Sequence, residues 1–278
     1  RMYKPCHILV LSTPITYGII KQNEKEIPMR KERLLNNDWL FRYHDGTESR
    51  VDVPHTWNNI DGQDGGNDYY RGTCVYEKTF DSPEYSENQR VYIEFCGVNA
   101  SAKVILNGDE IVTHDGGYST WRVDITEYLT EETEVAVIVD NSPNETVYPQ
   151  MADFTFYGGI YRNVNLICVN NSHFDLEYYG GPGIKITPTV ENKDANVEVE
   201  VFVKNLKEGQ SLTYTIYDAE ENEISKKETT DTKVNFELKD VNLWHGRKNP
   251  YLYCCEVELV EDGSVIDNVC NRFGCRSF

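Results

Sequence analysis

Within seven positions the chain carries one acid, three rings and two adjacent glycines: Asp153, Phe154, Phe156, Tyr157, Gly158 and Gly159. The surrounding stretch, residues 139–166, is too polar for a core strand, and alternation resumes only over Ile160-Tyr161-Arg162-Asn163-Val164. A carboxylate accepts hydrogen bonds from vicinal hydroxyls through both oxygens. Aromatic rings stack on the apolar faces of sugars. A long loop with such a set on a β scaffold is a common way to build a saccharide site. Trp57 is a further ring that could join Phe154, Phe156 and Tyr157 in a stacking face, although packing of the loop onto its scaffold is expected to use at least two of the four.

Other reactive residue types lead less far. Asp61, Asp64 and Asp68 share a loop with Gly62, Gly65 and Gly66. Loop carboxylates are ordinarily solvated, and acid–base catalysis needs a shifted pKa and a shielded cleft, so no self-sufficient catalytic pair is expected. The same run resembles a calcium loop only loosely, because it lacks the closing bidentate glutamate. His55 and His114 have no nucleophile or metal partner in view and are expected in satisfied hydrogen-bonding roles. Arg71 and Arg162 are expected as structural partners of acids. The eight cysteines show no Cys-x-x-Cys pair and no zinc spacing, and most sit in apolar strand runs. Cys270 and Cys275 could bridge, but nothing in their spacing requires it. A reducing, cytoplasmic location is expected.

The 278 residues suggest two domains. A formal net charge of −19 and a pI near 4.7 leave no basic cluster for nucleic acid or an anionic membrane surface. Mean hydropathy is −0.57, which suits a globular chain. Residues 1–28 are interrupted by Pro14 and lack the apolar core of a signal peptide or a spanning helix, so they are read as a leader or upstream remnant with room for one short strand.

The elements that must position the loop are strands. Helical periodicity is nearly absent. Val91, Ile93 and Phe95 alternate, Val104-Ile105-Leu106 runs into an Asn107-Gly108 turn, and Val135, Val137 and Val139 form another row. This spacing predicts an all-β fold opening with a jelly-roll β-sandwich over residues 29–180. The break at Tyr178-Tyr179-Gly180-Gly181-Pro182-Gly183 marks a boundary. Beyond it Val197, Val199, Val201 and Val203, then Leu212, Tyr214 and Ile216, then Val234, Phe236 and Leu238, predict an immunoglobulin-like β-sandwich over residues 181–278. Its charged outer rows suit a spacer and brace.

A series of short motifs resembles glycoside hydrolase family 2, the β-galactosidase and β-glucuronidase group. Val53-Pro54-His55-Thr56-Trp57-Asn58, Tyr70-Arg71-Gly72, Gly97-Val98-Asn99-Ala100, Leu106-Asn107-Gly108 and Gly158-Gly159-Ile160-Tyr161-Arg162 are similar to the family's motifs and stand in its order. Leu243-Trp244, Asn249-Pro250-Tyr251-Leu252-Tyr253 and Arg272-Phe273-Gly274 extend the likeness, which covers about residues 30–278. The family's plan is a jelly roll, an immunoglobulin-like sandwich and then a catalytic (β/α)₈ barrel. Retaining glycosidases use two carboxyl groups about 5–5.5 Å apart. In this family both are glutamates at barrel strand ends. The resemblance places them beyond Phe278, so the chain is expected to lack the catalytic barrel and to hydrolyse nothing alone.

The resemblance also implies roles. Asp153 matches by position the aspartate that reaches from the first domain toward the sugar, which in some β-galactosidases also helps to hold a sodium ion. Asn59 aligns with an asparagine that contacts the same sugar, where an amide can both donate and accept. Asp153, Asn59, Trp57 and Tyr157 are therefore the expected substrate-binding residues, with no catalytic residue and no metal ligand. No cofactor is expected, and sodium or magnesium would belong to the full-length parent. The expected partners are carbohydrate, the missing C-terminal barrel and, through exposed surfaces, a second copy in a homo-oligomer. A terminal β-galactoside is preferred because the YRG-type strand and the DFTFYGG loop look more like the galactosidase side. The rivals are a β-glucuronidase-like parent, a stand-alone lectin-like protein and a structural adhesion module.

Overall fold

The computed structural model of the chain describes residues 30–59, 69–149 and 151–277. The expected leader at residues 1–28 and the run containing Asp61, Asp64 and Asp68 lie outside the described residues. Ten strands build the first unit: β1 (Lys31–Leu34), β2 (Trp39–Arg42), β3 (Glu48–Val51), β4 (Thr73–Asp81), β5 (Gln89–Phe95), β6 (Ser101–Leu106), β7 (Asp109–Asp115), β8 (Trp121–Asp124), β9 (Glu132–Asp140) and β10 (Val164–Asn170). They form a six-stranded sheet in the order β3-β2-β4-β9-β6-β7 and a four-stranded sheet in the order β1-β10-β5-β8. Every pairing is antiparallel. Alternation turns Val135, Val137 and Val139 of β9 and Val104 and Leu106 of β6 toward Val91, Ile93 and Phe95 of β5. Each such side chain, once buried, contributes roughly 1.5–3 kcal/mol, so the pattern itself selects the closing face. This is the jelly-roll sandwich that the alternation predicts.

The second unit uses β11 (His173–Phe174), β12 (Ile184–Glu191), β13 (Asp194–Val201), β14 (Val203–Lys204), β15 (Ser211–Tyr217), β16 (Glu223–Thr229), β17 (Lys233–Leu238), β18 (Tyr253–Glu261) and β19 (Ser264–Phe273). Sheets of three strands, β12-β13-β17, and four strands, β16-β15-β18-β19, face each other across a core of Val197, Val199, Tyr214, Ile216, Phe236, Cys255 and Val257. This is the immunoglobulin-like arrangement. The inward row from Val197 runs on to Val203, which packs partly buried against the second core, but the strand itself is interrupted. β13 ends at Val201, and Val203 pairs instead with Phe174 in the β11–β14 ladder. Phe174 is already part of the second core. Cys254 and Cys270 form a disulfide across the β18–β19 hairpin, whereas Cys275 is buried and free, so the possible 270–275 bridge is not formed.

Residues 171–183 strap the two sandwiches together. Leu176 packs with Tyr92, Ile167 and Val169 on the outer face of the four-stranded sheet. Arg122 of β8 pairs with Glu94 of β5 at 2.5 Å and donates from Nη1 to the carbonyls of Leu176, Gly180 and Gly181 at 2.9, 3.2 and 3.1 Å. Gly180 lies so close that a Cβ there would stand 1.7 Å from the Thr120 carbonyl oxygen. On the other side Asp267 of β19, 4 % exposed, accepts both Nε and Nη2 of Arg30 at 2.9 and 3.0 Å and the Phe174 N–H at 2.8 Å. Asn170 Nδ2 donates to the Ile266 carbonyl at 2.6 Å. Among the described residues no helix is long and apolar enough to cross a membrane.

The Arg122 and Glu94 side chains are 13 % and 11 % exposed. Removing one partner of such a pair leaves an uncompensated charge at a cost of about 3–5 kcal/mol. Arg122→Leu is expected to lower stability by that order in urea and to split unfolding into two steps. An unchanged midpoint would show that Arg122 does not hold the strap to the first sandwich.

Candidate functional site

The site region lies at one end of the first sandwich, where the chain leaves β9 and returns at β10. Three loops meet there: residues 53–59, residues 69–72 and residues 141–160. Buried amides hold them. Asn58, with no exposed surface, accepts at Oδ1 from the Gly158 N–H at 2.8 Å and from Asn141 Nδ2 at 3.1 Å, and donates from Nδ2 to the Tyr70 carbonyl at 2.9 Å. Asn141, equally buried, donates to the Phe156 carbonyl at 2.9 Å and accepts the Gly72 N–H at 2.8 Å. Asn99 donates from Nδ2 to the Tyr157 carbonyl at 2.7 Å, and its backbone exchanges both hydrogen bonds with Gly159. An amide carries donors and an acceptor on one rigid plane, so it can satisfy loop backbone groups that no strand ladder reaches.

Packing fixes the same contact. The Trp57 ring lies on Gly158, where a Cβ would come within 2.0 Å of Trp57 Cζ2, so only glycine allows the approach. Trp57 also stacks on Phe41 with ring centres 6.2 Å apart. The expected stacking role for Trp57 therefore needs correction: the indole is 7 % exposed and its Nε1 donates to the Tyr70 carbonyl, which leaves little face for a sugar. Tyr157 is 39 % exposed and Phe154 is 53 % exposed, so these two keep free ring surface. Asn59 is exposed beside the buried Asn58. Asp153 is exposed and makes no hydrogen bond or ion pair with any described residue. The Asn58–Gly158 bond thus brings the loop of Trp57 and Asn59 against that of Tyr157, with Asp153 farther along the second loop.

Beside them is a small cleft of about 20 Å³ lined by Arg71, Asn99, Tyr118, Asn144, Tyr148 and Phe156, with room for about one water. The Arg71 guanidinium lies over Phe156, 5.0 Å from the ring centre, and Nε donates to the Asn141 carbonyl at 2.8 Å. Arg162 donates to the carbonyls of Cys96 and Tyr118 at 3.3 and 3.2 Å. Neither arginine pairs with an acid as expected, because loop carbonyls take their donors. Burial pushes Asp140 up, but hydrogen bonds from Ser142 and Thr73 and the charge of Arg71 outweigh it, so this carboxyl sits below its usual range. His55 shares a 2.7 Å hydrogen bond with the Tyr76 hydroxyl, in the satisfied role expected of it. His114 is satisfied only in part: its Nε2 has no partner among the described residues, while the ring stacks on Trp121 at 4.6 Å and has a backbone hydrogen bond at Gly116. No group of three or more potential metal ligands occurs among the described residues.

Asn58, Asn99 and Asn141 form a positioning set that the sequence alone does not announce. Their signal is a polar residue beside a strand end or a Gly-bearing turn, which single positions rarely reveal. Asn58→Ala strands the Gly158 N–H and an Asn141 donor, and each unsatisfied buried group costs about 1–3 kcal/mol. A fall in the thermal midpoint together with loss of amide protection at Gly158 is expected, and retained protection would contradict it.

Burial lowers the pKa of His55, His114 and His173. The unfolded chain therefore takes up protons first as pH falls below about 6.5, so stability declines from there toward the lowered folded values. The urea midpoint is expected to fall between neutral pH and pH of about 5, before the depressed carboxylates begin to respond. A flat profile in that window would contradict the histidine assignment.

Comparison with known proteins matches this construction. The profile "Glycosyl hydrolases family 2, sugar binding domain" covers residues 59–170, and "Glycosyl hydrolases family 2" covers residues 182–276. A β-glucuronidase of Bacteroides fragilis is 33% identical over 266 residues, covering 90% of this chain and 38% of the relative. A β-galactosidase of Thermoanaerobacter pseudethanolicus is 30% identical over 256 residues, covering 87% of this chain and 33% of the relative. The crystal structure of an FMN-binding β-glucuronidase from Faecalibacterium prausnitzii L2-6 superposes with a TM-score of 0.83 at 38% identity, covering 90% of this chain and 40% of that one. The chain thus spans well under half the length of each. With both sandwiches matched in order and the loop contacts built on the shared motifs, the chain belongs to glycosyl hydrolase family 2 and corresponds to its N-terminal, non-catalytic region.

Proposed function

We propose that the first sandwich walls one side of the substrate cleft of a retaining β-glycosidase, that Asp153 and Asn59 reach a hydroxyl-rich terminal sugar, and that the second sandwich braces the wall. The observation that carries this is the exposed, uncommitted carboxylate of Asp153 on a loop whose base is pinned by buried amides. A fixed base limits the entropy lost when the loop engages a ligand. The reacting acids would come from a barrel, the partner of this wall. For the sugar, a β-glucuronide is preferred to the β-galactoside suggested by the loop motifs, because the names of the similar proteins lean that way. The β-galactosidases among them keep the neutral sugar as the second reading.

A hydrogen bond to a charged group is worth about 1.5–3 kcal/mol. In a full-length glycosidase carrying this region, Asp153→Asn is therefore expected to lower kcat/KM for a nitrophenyl β-glycoside about 10- to 100-fold, with the fold intact by circular dichroism. A change below about two-fold would remove Asp153 from the sugar site.

A further inference from the structure

Strand β4 turns Cys74, Tyr76 and Phe80 into the first core, and the same alternation turns Lys78 inward, opposite the buried Val135 of β9. On the other sheet Arg33 of β1 stands opposite the buried Leu166 of β10, so it too lies on the inner side. The two cations approach each other from both sheets, at the edge where the sandwich opens. A cleft of about 450 Å³ lies there, with the buried Leu35 and Phe80 as its floor. Small-molecule sites run from about 300 to 1,000 Å³, so the space admits more than a bare ion. Lys78 Nζ donates to the Asn37 carbonyl at 2.7 Å, and Arg33 Nη2 donates to the Asp81 carbonyl at 2.5 Å. Among the described residues neither cation pairs with a carboxylate, and two N–H groups of Lys78 and the Nε and Nη1 of Arg33 have no acceptor. Asp81 and Glu132 also border the cleft, but they face each other on the side of the sheet away from Phe80 and Thr133, and Asp81 offers Arg33 its carbonyl. The Arg33 guanidinium is steadied by the Phe80 ring, 6.0 Å from its centre.

From this we infer that the cleft between β1 and β4 is a second binding site, which takes the phosphate of a small organic monophosphate and rests its carbon body on Leu35 and Phe80. An inward position in an apolar row is a costly place for a charge that meets no acid. A lysine kept only for solubility would stand at Glu77 or Thr79, which the alternation turns outward. A guanidinium fork on one wall and an ammonium on the other supply donors from two directions. That set matches the three oxygens of a phosphate better than the two of a carboxylate. A chain of net charge −19 repels anions in general, so attraction must come from such a local pair of cations. The cleft is separate from the sugar wall: it borders Asp81, and the length of β4 sets that residue roughly 25 Å from the loop at residues 69–72.

The test uses the 278-residue chain and four probes: phenyl phosphate, phenol, inorganic phosphate and benzoate. Each is titrated at constant ionic strength, followed by nuclear magnetic resonance, into the unaltered chain, Lys78→Met and Arg33→Gln. The expected result is saturable binding of phenyl phosphate, about ten-fold tighter than any of the other three, with shifts at the amides of Leu35, Lys78 and Phe80. Each substitution is expected to weaken it by about ten-fold, the effect of losing one hydrogen bond to a charged group. No saturable binding, or binding undiminished in either variant, overturns the site. Shifts confined to the Gly158 end of the sandwich overturn it as well, since the ligand would then sit elsewhere. Phenol binding as tightly removes the cations from the account, inorganic phosphate binding as tightly removes the apolar floor, and benzoate binding as tightly removes the choice of phosphate; each overturns the proposal. Matching circular dichroism and thermal midpoints for the three proteins exclude loss of fold as the cause.

Discussion

The contact between Asn58 and Gly158 is the constraint on which this end of the molecule depends. It joins a turn that follows β3 to a loop that precedes β10, and does so where no strand ladder supplies partners. Asn141 extends it to the backbone of Gly72 and Phe156, and Asn99 repeats the device one step along with Tyr157 and Gly159. The loop base is thereby treated as core, with its amides satisfied and its indole packed. The residues that keep exposed surface, Asp153, Phe154 and Tyr157, are those that leave this buried frame. Division of a loop into an immobilised base and a solvent-facing tip is an economical way to present polar groups without burying them unsatisfied.

Much of the architecture was legible in the chain because it rests on period-two alternation. Val135, Val137 and Val139 point inward, and so do Val197, Val199 and Val201, since an apolar row must find another. The limits of that logic appear at Val203. It keeps the inward side, partly buried against the second core, yet the strand stops at Val201 and a separate ladder pairs Val203 with Phe174 of the strap. That partner is 29 positions away, and periodicity within one segment cannot announce it.

The site was legible to a lesser degree, for the same reason. Trp57 belongs to a recognisable motif, but whether an indole faces solvent or a neighbouring glycine depends on a loop a hundred residues downstream. Arg71 and Arg162 carry a charge that suggests an acid partner, whereas the loops offer carbonyls first. His114 leaves its Nε2 without a partner among the described residues and stacks on Trp121. In each case residue type states a capacity and the distant chain decides which part of it is used.

The strap ties the two sandwiches to each other through ions of both. Asp267 belongs to the second sandwich, yet it closes on Arg30 at the threshold of the first, and Arg122 of the first holds carbonyls of the strap itself. Recombination that exchanged one module for a homologue's would have to carry a complementary acid or base across with it, or leave a lone ion at the seam. An exchange that separated Arg30 from Asp267 would leave the buried carboxylate without its cation.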